Sequence, residues 1–252
     1  MTEIVTIPCL SDNYAYLVID ELSTTLIDAP EAAPILKQLE ARDLRLDQIL
    51  LTHHHPDHID GVAAILEEHP ARVIGNEDDA DRLPDLDRGV LPGDRLTLGS
   101  ETVEVMDAPG HTIGHVAFYF PDAAALFSAD SLMVMGCGRL FEGTAEQMLG
   151  TLNAFAALPG RTAVYSGHEY TATNCEFAQS IEPDNAALTA RAAHVASLRE
   201  KNEPTIPSTI DEEKTTNPFM RSNDPDLKAA LGMENADDLA VFTELRSRRD
   251  KW

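Results

Sequence analysis

One segment, Thr52-His53-His54-His55-Pro56-Asp57-His58, constrains this chain more than any other. It follows the apolar run 48–51, which reads as a short buried strand. In an extended chain residues i and i+2 project to one side, so His53 and His55 face a common point and His54 turns away. Pro56 then bends the path and brings Asp57 and His58 round. So dense a set of polar side chains at a strand end is costly unless something pairs with it. Imidazole with carboxylate is a donor set of first-row metal ions.

Three more candidates lie downstream, each at the end of an expected strand or in the turn beyond. They are His111 in Ala-Pro-Gly-His-Thr, Asp130 in Phe-Ser-Ala-Asp-Ser and His168 in Tyr-Ser-Gly-His-Glu. Five histidines and two aspartates exceed what one ion needs. They suit two ions, each with about three protein ligands and a shared water.

Strands are expected over 3–8, 14–19, 24–27, 72–74, 95–98, 102–106, 116–120, 124–127 and 162–165. Helices are expected over 30–42, 61–68 and 144–157, the last with a capping box from Thr144 and Gln147. Beyond residue 169 helices dominate, at 171–180, 184–201 and 236–249, with a proline-containing linker at 202–207. This is an α/β layered body with a helical C-terminal appendage.

The balance of 19 Lys and Arg against 43 Asp and Glu gives a formal charge of −24. That argues against a broad grip on nucleic acid or on an anionic membrane, which needs a basic face. Three sparse cysteines, Cys9, Cys137 and Cys175, make no disulfide framework and point to a reducing cytoplasm. The start of the chain carries no secretory pattern, and no apolar run reaches the ~18 residues of a membrane span.

The T-H-x-H-x-D-H run with the later His, Asp and His resembles the metallo-β-lactamase superfamily. Four further blocks narrow the likeness: Gly-Cys-Gly-Arg-Leu-Phe-Glu-Gly-Thr from Gly136, Gly-His-Glu-Tyr-Thr from Gly167, Asn-Pro-Phe-Met-Arg from Asn217, and Leu-Arg-Ser-Arg-Arg-Asp from Leu245. Together they resemble glyoxalase II, the hydroxyacylglutathione hydrolases, from the first strand to the last residue. The resemblance implies a four-layer αβ/βα sandwich over residues 1–169 and a helical substrate-binding domain over 170–252. It gives His53, His55 and His111 to one metal and Asp57, His58 and His168 to a second, with Asp130 bridging. Two divalent ions per chain are implied, zinc first, with iron or manganese in some relatives. A hydroxide shared by the two ions would attack the thioester of S-D-lactoylglutathione, aligned by Asp57, with bridging Asp130 the second catalytic carboxylate. The products would be glutathione and D-lactate, as in methylglyoxal detoxification.

For substrate binding the same resemblance implies Arg246 and Arg249 at the glutathione glycine carboxylate. Arg139, Phe141 and Tyr170 line the peptide, although Phe141 lacks the hydroxyl common in relatives. Asp28, after the third strand, matches an aspartate that orients a ligand histidine. His115 reads as a core histidine, His69 and His194 as surface residues, Arg248 and Lys251 as solvated, and Asn13 and Asn174 as turn, packing or cap residues. The partner is a small thioester, and a monomer is expected. Two alternatives share the ligands: a mononuclear iron persulfide dioxygenase and a metal-dependent nuclease. The helical appendage with its cationic end argues against the first, and the acidic balance against the second.

Overall fold

The computed structural model describes residues 2–252, which divide into two compact units. The first comprises the chain up to Ala108 together with Gly114–Ala129; the second comprises Pro109–Ile113 and Asp130–Trp252.

The first unit opens with β1 (Glu3–Cys9), β2 (Asn13–Ile19) and β3 (Thr24–Ile27), paired antiparallel in sequence order. Helix α1 (Ala32–Ala41) leads to β4 (Gln48–Leu50), which joins β3 in parallel. The one-turn α2 (Pro56–Ile59) and α3 (Val62–Glu68) precede β5 (Arg72–Asn76) and β6 (Arg88–Val90), which extend the sheet in parallel. Among the described residues this sheet has the order β1-β2-β3-β4-β5-β6. An antiparallel meander follows: β7 (Arg95–Leu98), β8 (Glu101–Asp107), β9 (Val116–Phe120) and β10 (Ala125–Ala129).

The apolar run of β2 is explained by burial on both faces. Ala15 and Leu17 join Leu26, Ile49, Ile35, Leu39 and Ile65 in one core cluster under α1 and α3. Tyr14 and Tyr16 point the other way, and Tyr16 meets Phe127 of β10 at 5.5 Å between ring centres. Strand alternation thus delivers apolar groups to two layers at once.

Asp20, after β2, clasps the turn before β8. Its carboxylate accepts from the backbone of Leu22 (2.7 Å) and Ser23 (2.7 Å), and from Ser100 N (2.6 Å) and Oγ (2.8 Å). Gly99 between them has φ +62, and an added Cβ would collide with that carboxylate. Burial pushes the Asp20 carboxyl up, but the donors at Ser100, Leu22 and Ser23 outweigh it, so its pKa lies below that of an ordinary aspartate. A depressed folded value means a contribution present above the unfolded value of about 3.9 and lost as pH falls through the folded one. The urea midpoint should therefore fall with acidity in that window, and Asp20→Asn should flatten part of the fall. An unchanged slope in the variant would contradict the clasp.

In the second unit a small ribbon pairs β11 (Leu132–Met133) with β12 (Gly136–Cys137). Helix α4 (Ala145–Ala156) carries the expected Thr144–Gln147 capping box. Next come β13 (Ala163–Ser166), α5 (Thr171–Ile181) and α6 (Ala186–Glu200), then β14 (Ser208–Thr209), antiparallel to β13. Helices α7 (Ile210–Thr216), α8 (Pro225–Leu231) and α9 (Asp238–Asp250) complete it. The long expected helix at 184–201 begins at Ala186 because Asn185 caps it, accepting from Ala187 and Leu188.

Phe177 and Phe219 stack at 6.0 Å, and Phe242 meets Phe219 edge-on at 5.8 Å. Buried Arg221 and Glu213 are both paired. Arg221 grips Glu182 with two parallel bonds of 2.6 and 3.0 Å. Glu213 is fully buried and accepts from Met135 N and Asn217, with Arg191 and Ser208 on its other oxygen. Among the described residues no helix is long and apolar enough to cross a membrane.

Candidate metal centre

His53, His55, Asp57 and His58 belong to the first unit; His111, Asp130 and His168 belong to the second.

In the first unit β4 delivers the chain to Thr52, whose carbonyl accepts from Val116 N of β9 at 2.9 Å. Asp28 ends β3 with φ 55, a left-handed conformation that aspartate tolerates. Its carboxylate takes Thr52 N (2.9 Å), the Thr52 hydroxyl (2.8 Å) and His58 Nδ1 (2.8 Å). A carboxylate only accepts, so Thr52 donates to Asp28, and the Thr52 oxygen in turn receives His53 Nδ1 at 3.0 Å. Asp28 therefore fixes two imidazoles, His58 directly and His53 through Thr52. Both are held by Nδ1, which turns Nε2 to the side where an ion could bind. Asp28 does orient a histidine; the part played by Thr52 has no signal in the sequence beyond its place before His53.

His53 Nε2 lies 3.1 Å from His55 Nδ1, as the alternation of an extended chain requires. His58 Nε2 lies 4.0 Å from Asp57 Oδ2. His54 turns away, as expected, to Asp79 at 3.1 Å. His115 is fully buried and stacks on His53 at 4.7 Å, so it is a core histidine. His69 closes α3 and is half-buried, while His194 is exposed on α6.

In the second unit Asp130 follows Ala129, a residue at φ 41. Its Oδ2 lies 3.4 Å from His111 Nε2 and 3.3 Å from His168 Nε2. His111 Nδ1 donates to the Arg139 carbonyl at 2.8 Å, again turning Nε2 to the carboxylate. This closeness needs a glycine at 138, because an added Cβ would collide with the Asp130 carbonyl. Phe141 packs edge-on to His111 at 5.3 Å, and Tyr170 stacks flat on His168 at 4.7 Å.

These donors fit a divalent ion. Two ligand atoms each about 2.05 Å from a tetrahedral ion lie about 3.3 Å apart. The separations of 3.1, 3.4 and 3.3 Å within the two units match that edge. The imidazoles of His53, His58, His111 and His168 are buried, and the donors of each unit mix nitrogen and oxygen without thiolate. The site is one for a divalent metal. Burial pushes the Cys9 thiol up to about 12 and the Cys175 thiol to about 11, and it also raises Cys137, so none is a ready nucleophile.

The expected substrate cations also lie in the second unit. Arg246 is buried over the Phe219 ring, with Asp250 at 2.8 Å and the Cys137 carbonyl at 2.9 Å. Arg249 is half-buried over Phe177 and reaches Asn174 Oδ1 at 3.3 Å. Burial first, then the charges of Arg246 and Arg139, push Arg249 below the ordinary guanidinium value, the mark of a local positive field. Arg139 is exposed, 3.7 Å from Asp250 and over Phe141 at 5.9 Å. Phe141 is exposed too. Among the described residues Arg248 pairs with Glu244 one helical turn away, and Lys251 reaches Ser247. Asn174 does more than pack: it also donates to the Val134 carbonyl at 3.0 Å, tying the approach to β12 to the Arg249 side chain.

Comparison with known proteins gives the family. Residues 11–168 match the metallo-beta-lactamase superfamily, and residues 169–252 match the hydroxyacylglutathione hydrolase C-terminus. The chain is 56% identical to a hydroxyacylglutathione hydrolase of Ruegeria pomeroyi over 98% of each sequence. Among solved structures, ETHE1 from Myxococcus xanthus shares the fold at a TM-score of 0.69 and 24% identity, over 99% of this chain and 91% of that one. TTHA1623 in a di-iron-bound form aligns at a TM-score of 0.62 and 26% identity, over 85% of this chain and 98% of that one.

Proposed function

The chain belongs to the hydroxyacylglutathione hydrolase family of the metallo-β-lactamase superfamily and hydrolyses hydroxyacylglutathione thioesters; we propose that it does so at a two-metal centre. Its fold is the expected α/β one, the αβ/βα sandwich class with a helical C-terminal region. In this reading His53, His55 and His111 hold one ion, Asp57, His58 and His168 hold the other, and Asp130 is shared. Imidazole and carboxylate are groups of a kind that can hold such ions. The donor spacing within each unit and the di-iron form of TTHA1623 support two ions. Zinc suits the donor set, and iron and manganese suit it as well.

Bound divalent ions supply an activated water and neutralise charge that develops on the carbonyl oxygen. The protein's part is to place the reactants. Asp57 accepts a hydrogen bond from the attacking water and aligns it. Asp28 and Thr52 keep His53 and His58 in one tautomer. The leaving thiolate, with a solution pKa around 8.5, needs little protonation, so no separate acid is required. Arg246 and Arg249 hold the glycine carboxylate of glutathione, with Arg139, Phe141 and Tyr170 along the peptide. Residues 1–169 act as the catalytic domain and 170–252 as the substrate domain. The substrate is S-D-lactoylglutathione, giving glutathione and D-lactate, and the chain works as a cytoplasmic monomer without nucleic acid or membrane. Its three cysteines, buried and unbridged, suit a reducing compartment.

What carries the reading is a metal-ligand set joined to a C-terminal segment of the hydrolase type. That segment also disfavours the dioxygenase and nuclease alternatives. The test is thiol release from S-D-lactoylglutathione, followed with a thiol-reactive dye. Prompt release is expected. No release, together with oxygen uptake on glutathione persulfide or cleavage of RNA, would move the chain to one of the alternatives.

A further inference from the structure

Asn13 is the first residue of β2 and is almost wholly buried. It closes the β1–β2 hairpin opposite Cys9. Its amide nitrogen lies 2.9 Å from the Asp57 carbonyl oxygen and 3.0 Å from Asp57 Oδ2. Both partners accept only, so the NH2 end faces them and each of its two hydrogens has an acceptor. One side chain thus holds Asp57 by backbone and carboxylate together.

Asp57 sits on a short element. Helix α2 is a single turn of four residues, and the Asp57 side chain is 41% exposed. A carboxylate so placed has several rotamers open to it. The oxygen that Asn13 grips is the one 4.0 Å from His58 Nε2. The type of donor matters as well. A lysine or arginine would also fix the carboxylate, but its charge would compete with a cation for it. A neutral amide fixes orientation and leaves the negative charge in place.

We propose that Asn13 is a positioning residue for the metal centre, setting the Asp57 carboxylate in its ligating orientation. The inference rests on the two-metal reading above. Outer partners of metal ligands typically contribute about 10–100-fold to metal affinity. Asn13→Ala and Asn13→Asp should weaken zinc binding to the metal-free protein by that factor, read by competition with a chromophoric chelator. The aspartate variant cannot donate, so despite its matching shape it should do no better than alanine. Turnover should fall while KM for the thioester stays within about twofold. Folded variants with unchanged zinc affinity would overturn the proposal and leave the two-metal reading intact. Wild-type protein that takes up no zinc would take both down. Should the variants fail to fold, the Asn13 side-chain amide in wild type decides by NMR. Slow exchange and a shift on zinc addition are expected, and exchange at the rate of an exposed amide would overturn the proposal.

Discussion

Asp130→Ala is expected to remove thioester hydrolysis, with kcat falling on the order of a thousand-fold or more. One oxygen of this carboxylate stands 3.4 Å from His111 Nε2 and 3.3 Å from His168 Nε2, as close as donors around a shared ion. Its removal takes a negative ligand from both ions in the proposed centre. Metal-borne stabilisation of the transition state is worth several kcal/mol, and each 1.36 kcal/mol is tenfold in rate. Metal content should fall in the same variant. Asp130→Asn separates charge from shape. The amide fills the space but lacks the charge, so it should stay inactive. Recovery of most activity by asparagine would show that Asp130 only packs between the two imidazoles.

Arg249→Ala should raise KM for the thioester by about 10–100-fold and change kcat by no more than about twofold. A hydrogen-bonded charge contributes about 1.5–3 kcal/mol. Binding that is equal in ground and transition states appears in KM alone. The positive field at this position, sharpened by burial and by Arg246 and Arg139, favours a carboxylate. Part of the loss is packing, since the guanidinium lies over Phe177 at 5.9 Å. Arg248→Ala is the matched control. That side chain is exposed and pairs with Glu244 on its own helix, so steady-state kinetics should not move. Equal behaviour of the two variants would remove Arg249 from the substrate site.

The sequence makes legible what is local. The strand at residues 24–27, the meander strand at 116–120 and the Thr144 capping box lie where alternation and capping put them. The opposed facing of His53 and His54 follows from a two-residue period alone. Two-residue strands such as Leu132–Met133 and Ser208–Thr209 are too short to show any period. Helices α7 and α8, seven residues each, were not expected from the sequence, because so short a run hardly shows a helical period; their ends are set by caps. Thr209 caps α7, while Asp224 with Pro225 opens α8 and Gly232, at φ 69, ends it. Thr52, Asn13 and Asn174 were not legible. Each acts through a partner distant in sequence, at Asp28, Asp57 and Arg249 in turn, and the chain carries no local mark of such pairings.

Metal analysis beside turnover is the most direct measurement. Purified protein is stripped with a chelator, reloaded with zinc in steps and assayed on S-D-lactoylglutathione at each step. Turnover should vanish on stripping and return as the content approaches two ions per chain. Full turnover by the metal-free protein would contradict the metal centre itself, and full recovery at a single ion per chain would contradict its second half.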